Sequence, residues 1–168
     1  GSQTLYSNTT GSNNVAFGSL GLYANTTGGY NVSVGRQALF SNTTASNNTA
    51  VGYQAGYSGT IASNCVAIGY QALYNNTLGA FNVALGGFAL WTNVSGNNNT
   101  ALGHTALYTA DGTNYNTAVG YRAMRQTTTG DYNVAVGWAA LYNTTTGTQN
   151  TALGYQALYT NTYGYNNT

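Results

Sequence analysis

A 17-residue repeat runs through the whole chain without an insertion or a deletion. One glycine per repeat marks the register, and this column comprises Gly18, Gly35, Gly52, Gly69, Gly86, Gly103, Gly120, Gly137 and Gly154. The unit is too short for a helix pair or a propeller blade, and its glycine, threonine, tyrosine and asparagine content disfavours helix. A short apolar stretch between turn residues instead predicts strand, turn, strand and loop in each repeat.

Such a unit has the contour of one coil of a solenoid. The sequence therefore predicts an all-β fold, a parallel β-solenoid of about ten 17-residue coils that occupies residues 1–168 as one array. Coils of this kind stack about 4.8 Å apart, so identical residues lie above one another. A column of like charges at that spacing would repel itself, which accounts for a chain with three arginines, two aspartates and no lysine or glutamate. Proline, which would remove a donor from the ladder between coils, is absent.

An asparagine recurs four residues before the glycine. Stacked side-chain amides are expected to hydrogen-bond along the rod and to cap the turn. This structural asparagine ladder comprises Asn14, Asn31, Asn48, Asn82, Asn99, Asn116, Asn133 and Asn150. Cys65 replaces the asparagine in one repeat, and we expect it to be a small buried filler rather than a nucleophile.

Two columns of aromatic residues follow the glycine. The candidate ligand-contacting column stands directly after it and comprises Tyr53, Tyr70, Tyr121, Trp138 and Tyr155. Because other repeats carry residues as different in size as Arg36, His104, Ser19 and Gly87 there, the column is expected to be exposed, where its ring faces could stack on sugar rings. The alternative is that these rings cover the coil edges or a seam between chains. A second column, beginning with Tyr6 and Tyr23, is so regular that we assign it to packing.

The short stretch before the glycine, as in "TALG" and "VAVG", is apolar on both faces. One face carries valine or threonine and a larger aliphatic residue, and the other carries alanine and glycine. Strands that are apolar on both faces are normally buried on both. We therefore expect one face to fill the coil and the other to meet a second copy of the chain, with the small alanine and glycine columns allowing close approach.

The sequence predicts no enzyme, no cofactor and no metal site. His104 and Asp111 share a repeat, but they replace a tyrosine-type and a threonine-type residue, and the other repeats manage without a histidine or an aspartate there. Catalysis needs several groups placed together. Metal sites need clustered ligands that this chain lacks. A net charge of +1 offers no footprint for nucleic acid, and no apolar run approaches the length of a membrane span.

The core "NVAVG" or "NTALG", followed by two variable residues and an alanine, resembles the head repeats of trimeric autotransporter adhesins of the YadA-like kind. The longer phrase "GYQALYNNTLGAFNVALG" at residues 69–86 is similar to the Asn/Thr/Gly-rich repeats of phage tail fibres and related bacterial surface fibres. The resemblance implies a left-handed β-roll, a homotrimer, and an extracellular fibre at a cell surface or on a virion, of which this array is a segment. Autotransporter heads run at a shorter period, which implies a longer loop here.

Together, these features predict a structural and adhesive role in a trimeric fibre that attaches to a host receptor or glycan. The alternative is a self-assembling extracellular filament whose coils stack end to end, because the repeat runs through without a polar capping coil. Ice binding is a third hypothesis, suggested by the column Thr9, Thr26, Thr43, Thr60, Thr77, Thr128, Thr145 and Thr162. Neighbouring threonines of "NTT" fall on opposite faces of a strand, which disfavours it.

Overall fold

The computed structural model describes all of residues 1–168 as an all-β solenoid without a helix. Its nine strands are β1 (Val15–Phe17), β2 (Val32–Val34), β3 (Thr49–Val51), β4 (Val66–Ile68), β5 (Val83–Leu85), β6 (Thr100–Leu102), β7 (Thr117–Val119), β8 (Val134–Val136) and β9 (Thr151–Leu153). They form one parallel sheet in sequence order, and each residue pairs with the residue one repeat later, as Ala84 does with Ala101. The predicted fold class and period are confirmed.

The hydrogen bonds between coils continue far beyond the three-residue strands. Of 104 backbone–backbone hydrogen bonds, 88 lie outside the strands. For example, the Leu22 N–H donates to the Ala38 carbonyl at 3.1 Å, and the Ala24 N–H donates to the Phe40 carbonyl at 3.1 Å. The coil is therefore joined to its neighbours along much of its contour, and the strand is one part of a longer ladder.

The second strand expected in each repeat does not form, because the chain after the glycine is a run of turns. Three non-glycine residues per coil have positive φ, for example Gln71 at 51°, Leu73 at 51° and Phe81 at 59°, except in residues 52–68, where Gly56 takes the leucine position. A left-handed residue with a side chain costs about 1–2 kcal/mol. Each of these three donates its N–H to an adjacent coil, to Tyr53, Ala89 and Ser63 respectively. Stacking thus stabilises a local conformation that the sequence alone disfavours.

The interior of the coil is narrow and filled by small residues facing leucines. The middle residue of every strand from β2 to β9 is buried, and alanines such as Ala84 and Ala101 join Leu90 and Leu107 in one continuous core. The expectation that the alanine column allows close approach between chains is therefore wrong. Alanine faces inward because the leucine column occupies the space opposite, and the larger strand residues face outward.

Candidate functional site

The outward side of the sheet, which we call the strand face, consists of the first and third residues of β1–β9. Its first column is Val15, Val32, Thr49, Val66, Val83, Thr100, Thr117, Val134 and Thr151, and its second is Phe17, Val34, Val51, Ile68, Leu85, Leu102, Val119, Val136 and Leu153. No residue of either column is charged, and Ile68 and Leu102 remain 37% and 43% exposed in the single chain. Contiguous exposed apolar surface of this kind marks interaction sites.

The aromatic stripe, defined as Tyr53, Tyr70, Tyr121, Trp138 and Tyr155, is exposed as predicted. Its neighbouring rings are nearly parallel. The ring centroids are 5.5 Å apart for Tyr53 and Tyr70, and 4.9 Å apart for Trp138 and Tyr155. Each ring is therefore stacked on its neighbour, which covers part of its face. The stripe therefore offers ring edges, hydroxyl groups and only parts of the ring faces, which is less than the open faces that the sequence analysis expected.

Gly87 interrupts the stripe, and a neighbouring phenyl ring fills the gap. The Phe88 ring lies edge-on to Tyr70 at 5.1 Å and edge-on to His104 at 5.9 Å. His104 in turn stacks on Tyr121 with a centroid distance of 5.8 Å. His104 is thus part of a continuous aromatic surface beside the strand face.

The three arginines also lie on aromatic rings. The guanidinium carbon of Arg36 is 6.0 Å from the Tyr53 ring centre, and that of Arg122 is 4.9 Å from the Tyr121 ring centre. Both distances suit a cation–π contact. The positive charge of the chain is therefore carried in part by the same surface as the aromatic stripe.

The second aromatic column, which begins with Tyr6 and Tyr23, forms a regular stack of rings, in agreement with its assignment to packing. Tyr57 and Tyr74 have ring centroids 5.0 Å apart and planes within 4° of one another. Burial, reinforced by neighbouring tyrosines, raises the pKa of Tyr74. Where Arg125 interrupts the column, its guanidinium lies 5.0 Å from the Tyr108 ring centre, and Nη1 donates to the Tyr142 hydroxyl at 3.3 Å.

The asparagine ladder forms, chiefly through bonds to the backbone. The Asn116 N–H donates to Asn99 Oδ1 at 3.0 Å, and Asn116 Nδ2 donates to the Gly130 carbonyl at 2.8 Å. Direct contacts between amides are added towards the end of the chain, as from Asn150 Nδ2 to Asn133 Oδ1 at 3.0 Å. Each side chain therefore joins two coils and fixes the corner at which the chain enters the strand.

Sequence reasoning missed a second, shorter column of asparagines. Its buried members are Asn25, Asn42, Asn76 and Asn93. Asn42 Nδ2 donates to Asn25 Oδ1 at 2.7 Å, and Asn93 Nδ2 donates to Asn76 Oδ1 at 2.8 Å. The signal was a recurrent asparagine seven residues after the glycine, but polar loops rich in asparagine and threonine obscured it.

The titratable residues have structural contacts. Burial raises the pKa of the Cys65 thiol, although the backbone of Asn82 and Phe81 and the side chain of Asn76 oppose the shift. Asp111 Oδ1 accepts a hydrogen bond from the Val94 N–H at 3.0 Å. No group of three or more histidine, cysteine, aspartate or glutamate side chains is placed to hold a metal ion.

The threonine column donates its hydroxyl protons to the backbone of the next coil. Thr26 Oγ1 donates to the Thr43 carbonyl at 3.0 Å, and Thr128 Oγ1 donates to the Thr145 carbonyl at 3.0 Å. Because these protons are engaged within the chain, the column is poorly suited to ordering water into an ice lattice.

No protein-family model, curated protein or solved structure matches the chain. The fold contains no helix long and apolar enough to cross a membrane. The geometry of the strand face and the aromatic stripe therefore carries the functional argument.

Proposed function

We propose that this chain is a structural and adhesive segment of an extracellular trimeric fibre, of the cell-surface or tail-fibre kind. The strand face carries the proposal, because it is uncharged, is aliphatic or aromatic apart from the threonines of its first column, and is repeated in β1–β9. Nine strands about 4.8 Å apart give it a length of about 40 Å. In a parallel sheet, a face of this composition is normally covered.

A second copy of the same chain is the partner that fits this face best. Two identical rods have the same repeat, so one favourable contact recurs at every coil along their length. A closed cyclic assembly around the strand faces leaves no copy with an uncovered face. The resemblance of the repeat to trimeric adhesin heads supports three copies rather than two.

The adhesive role belongs to the aromatic stripe, which borders the strand face. Its edges, hydroxyl groups and adjoining arginines suit a glycan or receptor that combines hydroxyl groups with apolar ring surfaces. Assembly through the strand face places one such stripe on each copy, so a fibre presents several parallel stripes. Repeated weak contacts of this kind raise the total affinity for a multivalent surface.

The mass of the particle in solution tests the assembly. The double variant Ile68→Glu with Leu102→Glu places buried charges in the proposed interface. Its matched control, Ile61→Glu with Leu78→Glu, changes two aliphatic residues that are each 55% exposed away from the strand face. Light scattering after gel filtration is expected to give a trimer for the wild type and the control, and a monomer for the strand-face variant.

A monomeric wild type, or a strand-face variant that stays trimeric, would contradict the proposal. Negative-stain images of the same fractions separate the alternative, because filaments of indefinite length would assign the function to end-to-end assembly. A glycan array with the wild type and the Tyr121→Ala, Trp138→Ala variant tests adhesion, and retained binding by the variant would remove the aromatic stripe from that role.

A further inference from the structure

One coil, residues 52–68, has lost side-chain volume at three inward positions. Gly56 stands in the leucine column, Gly59 in the second asparagine column, and Cys65 in the asparagine ladder. These three residues line one cavity of about 20 Å³, together with Leu39, Asn42 and Asn76 among others. The three substitutions therefore act at a single place inside the solenoid.

The cavity is bordered by an unpaired hydrogen-bond acceptor. Asn42 is fully buried, and its Oδ1 accepts no hydrogen bond from the chain. In the preceding coil, Asn25 Oδ1 accepts from Asn42 Nδ2. By the same register Asn42 Oδ1 points towards residue 59, where glycine has no amide to offer. Leaving such an oxygen unsatisfied destabilises the folded chain.

Two further polar groups meet the same cavity. Asn76 Nδ2 lies 3.8 Å from Cys65 Sγ and donates to the Gly79 carbonyl at 2.7 Å. The Cys65 thiol donates to the Gly79 carbonyl at 3.3 Å, which leaves its sulfur as a weak acceptor for a further group. A buried water needs about 10–15 Å³ of space and two to four polar partners. The cavity has that volume, and Asn42 Oδ1 and Cys65 Sγ are two acceptors among the residues that line it.

The chain contains an internal comparison. Asn93 is also fully buried, and its Oδ1 is also unpaired, because Ala110 occupies the next position in the column. There Leu107 keeps its place in the leucine column, and the single cavity of the molecule lies elsewhere. The chain therefore contains two unpaired asparagine oxygens, Asn42 Oδ1 beside a cavity and Asn93 Oδ1 without one.

We propose that the cavity in residues 52–68 is a binding site for one water molecule, which donates a hydrogen bond to Asn42 Oδ1 and contacts Cys65 Sγ. The water takes the place of the amide that Gly59 lacks. The surroundings of Asn93 differ in holding Leu107 and Asn116 where the cavity is lined by Gly56 and Cys65, and no cavity forms there. The proposal is independent of the strand face and of any role in adhesion.

Oxygen-17 magnetic relaxation dispersion counts long-lived buried waters and tests the site. In Gly59→Asn the new amide donates to Asn42 Oδ1 and fills the cavity, so the count is expected to fall by one and the melting temperature to rise. In Ala110→Asn, which supplies the same amide to Asn93 Oδ1, the count is expected to stay unchanged. Far-ultraviolet circular dichroism verifies that both variants keep the wild-type fold.

Gly56→Leu provides an independent variant if Gly59→Asn does not fold. Leucine is accepted at positive φ in this column, as at Leu39 and Leu73, and the nearest obstacle to its Cβ is the flexible tip of Leu39 at 2.9 Å. This variant is also expected to lose one long-lived water. An unchanged count in a folded Gly59→Asn or Gly56→Leu variant would overturn the proposal.

Discussion

At the scale of single residues, the glycine column shows how closely the coils approach. Gly103 has a φ of 139°, and a Cβ added there would meet the Gly120 carbonyl carbon at 2.6 Å. Only glycine satisfies both demands, a left-handed backbone and contact with the next coil. Glycine is therefore needed in this column for the coils to stack, and it does more than mark the turn.

We predict that Gly103→Ala destabilises the fold more than Gly154→Ala. Gly154 has a similar φ of 126°, but a Cβ there has nothing within 4 Å. Backbone strain of about 1–3 kcal/mol is common to both variants, and only Gly103→Ala also forces two coils apart. Thermal unfolding followed by circular dichroism measures the difference, and equal losses of stability would show that the close approach is unimportant.

At the scale of the repeated element, the asparagine ladder joins each coil to the next. Asn116 is fully buried, and its side chain serves the Gly130 carbonyl and the Asn133 N–H. Since these partners are backbone groups of a neighbouring coil, the side chain acts as a clamp between coils. The clamp recurs wherever the column holds asparagine.

We predict that Asn116→Ala lowers the free energy of unfolding by about 1–3 kcal/mol for each of the two backbone groups that it leaves unsatisfied. Asn143→Ala is the matched control, because Asn143 is half-buried at the surface and its side-chain amide has no partner in the chain. A surface substitution of that kind is expected to change the free energy of unfolding by no more than about 0.5 kcal/mol. Similar losses in chemical denaturation of both variants would contradict the structural role of the ladder.

The sequence predicted the solenoid because an uninterrupted period requires identical residues to stack. It did not predict the turns around Leu73 or Leu90, since left-handed leucine is unfavourable locally and is stabilised only by bonds to adjacent coils. It assigned the inward face wrongly, because alanine and valine are both apolar and periodicity alone cannot tell the core from the strand face. The stacking of Trp138 on Tyr155 depends on three-dimensional spacing.

At the scale of the whole molecule, each strand contacts only the strands immediately before and after it. Stability is then approximately a sum of coil terms and nearest-neighbour interfaces. Length can change by whole coils without altering any column. A change by part of a coil displaces every column beyond it.

We predict that deleting residues 86–102 leaves a folded, shorter rod, because the deletion removes one full repeat and joins Leu85 to Gly103. Deleting residues 86–93 from the same starting point shifts the register by eight positions and is expected to abolish the solenoid beyond Leu85. Circular dichroism and small-angle scattering distinguish the two products. Equal folding of both deletions would mean that the register between coils does not determine the structure.

The hydrogen bonds that join the coils are made almost entirely by neutral amides, hydroxyls and backbone groups. With only two carboxylates and three guanidiniums in 168 residues, dissolved salt has few charges to screen. Few groups change protonation between about pH 5 and pH 9. We therefore expect the rod to keep its shape equally in fresh water, in brine, and in mildly acidic or alkaline surroundings.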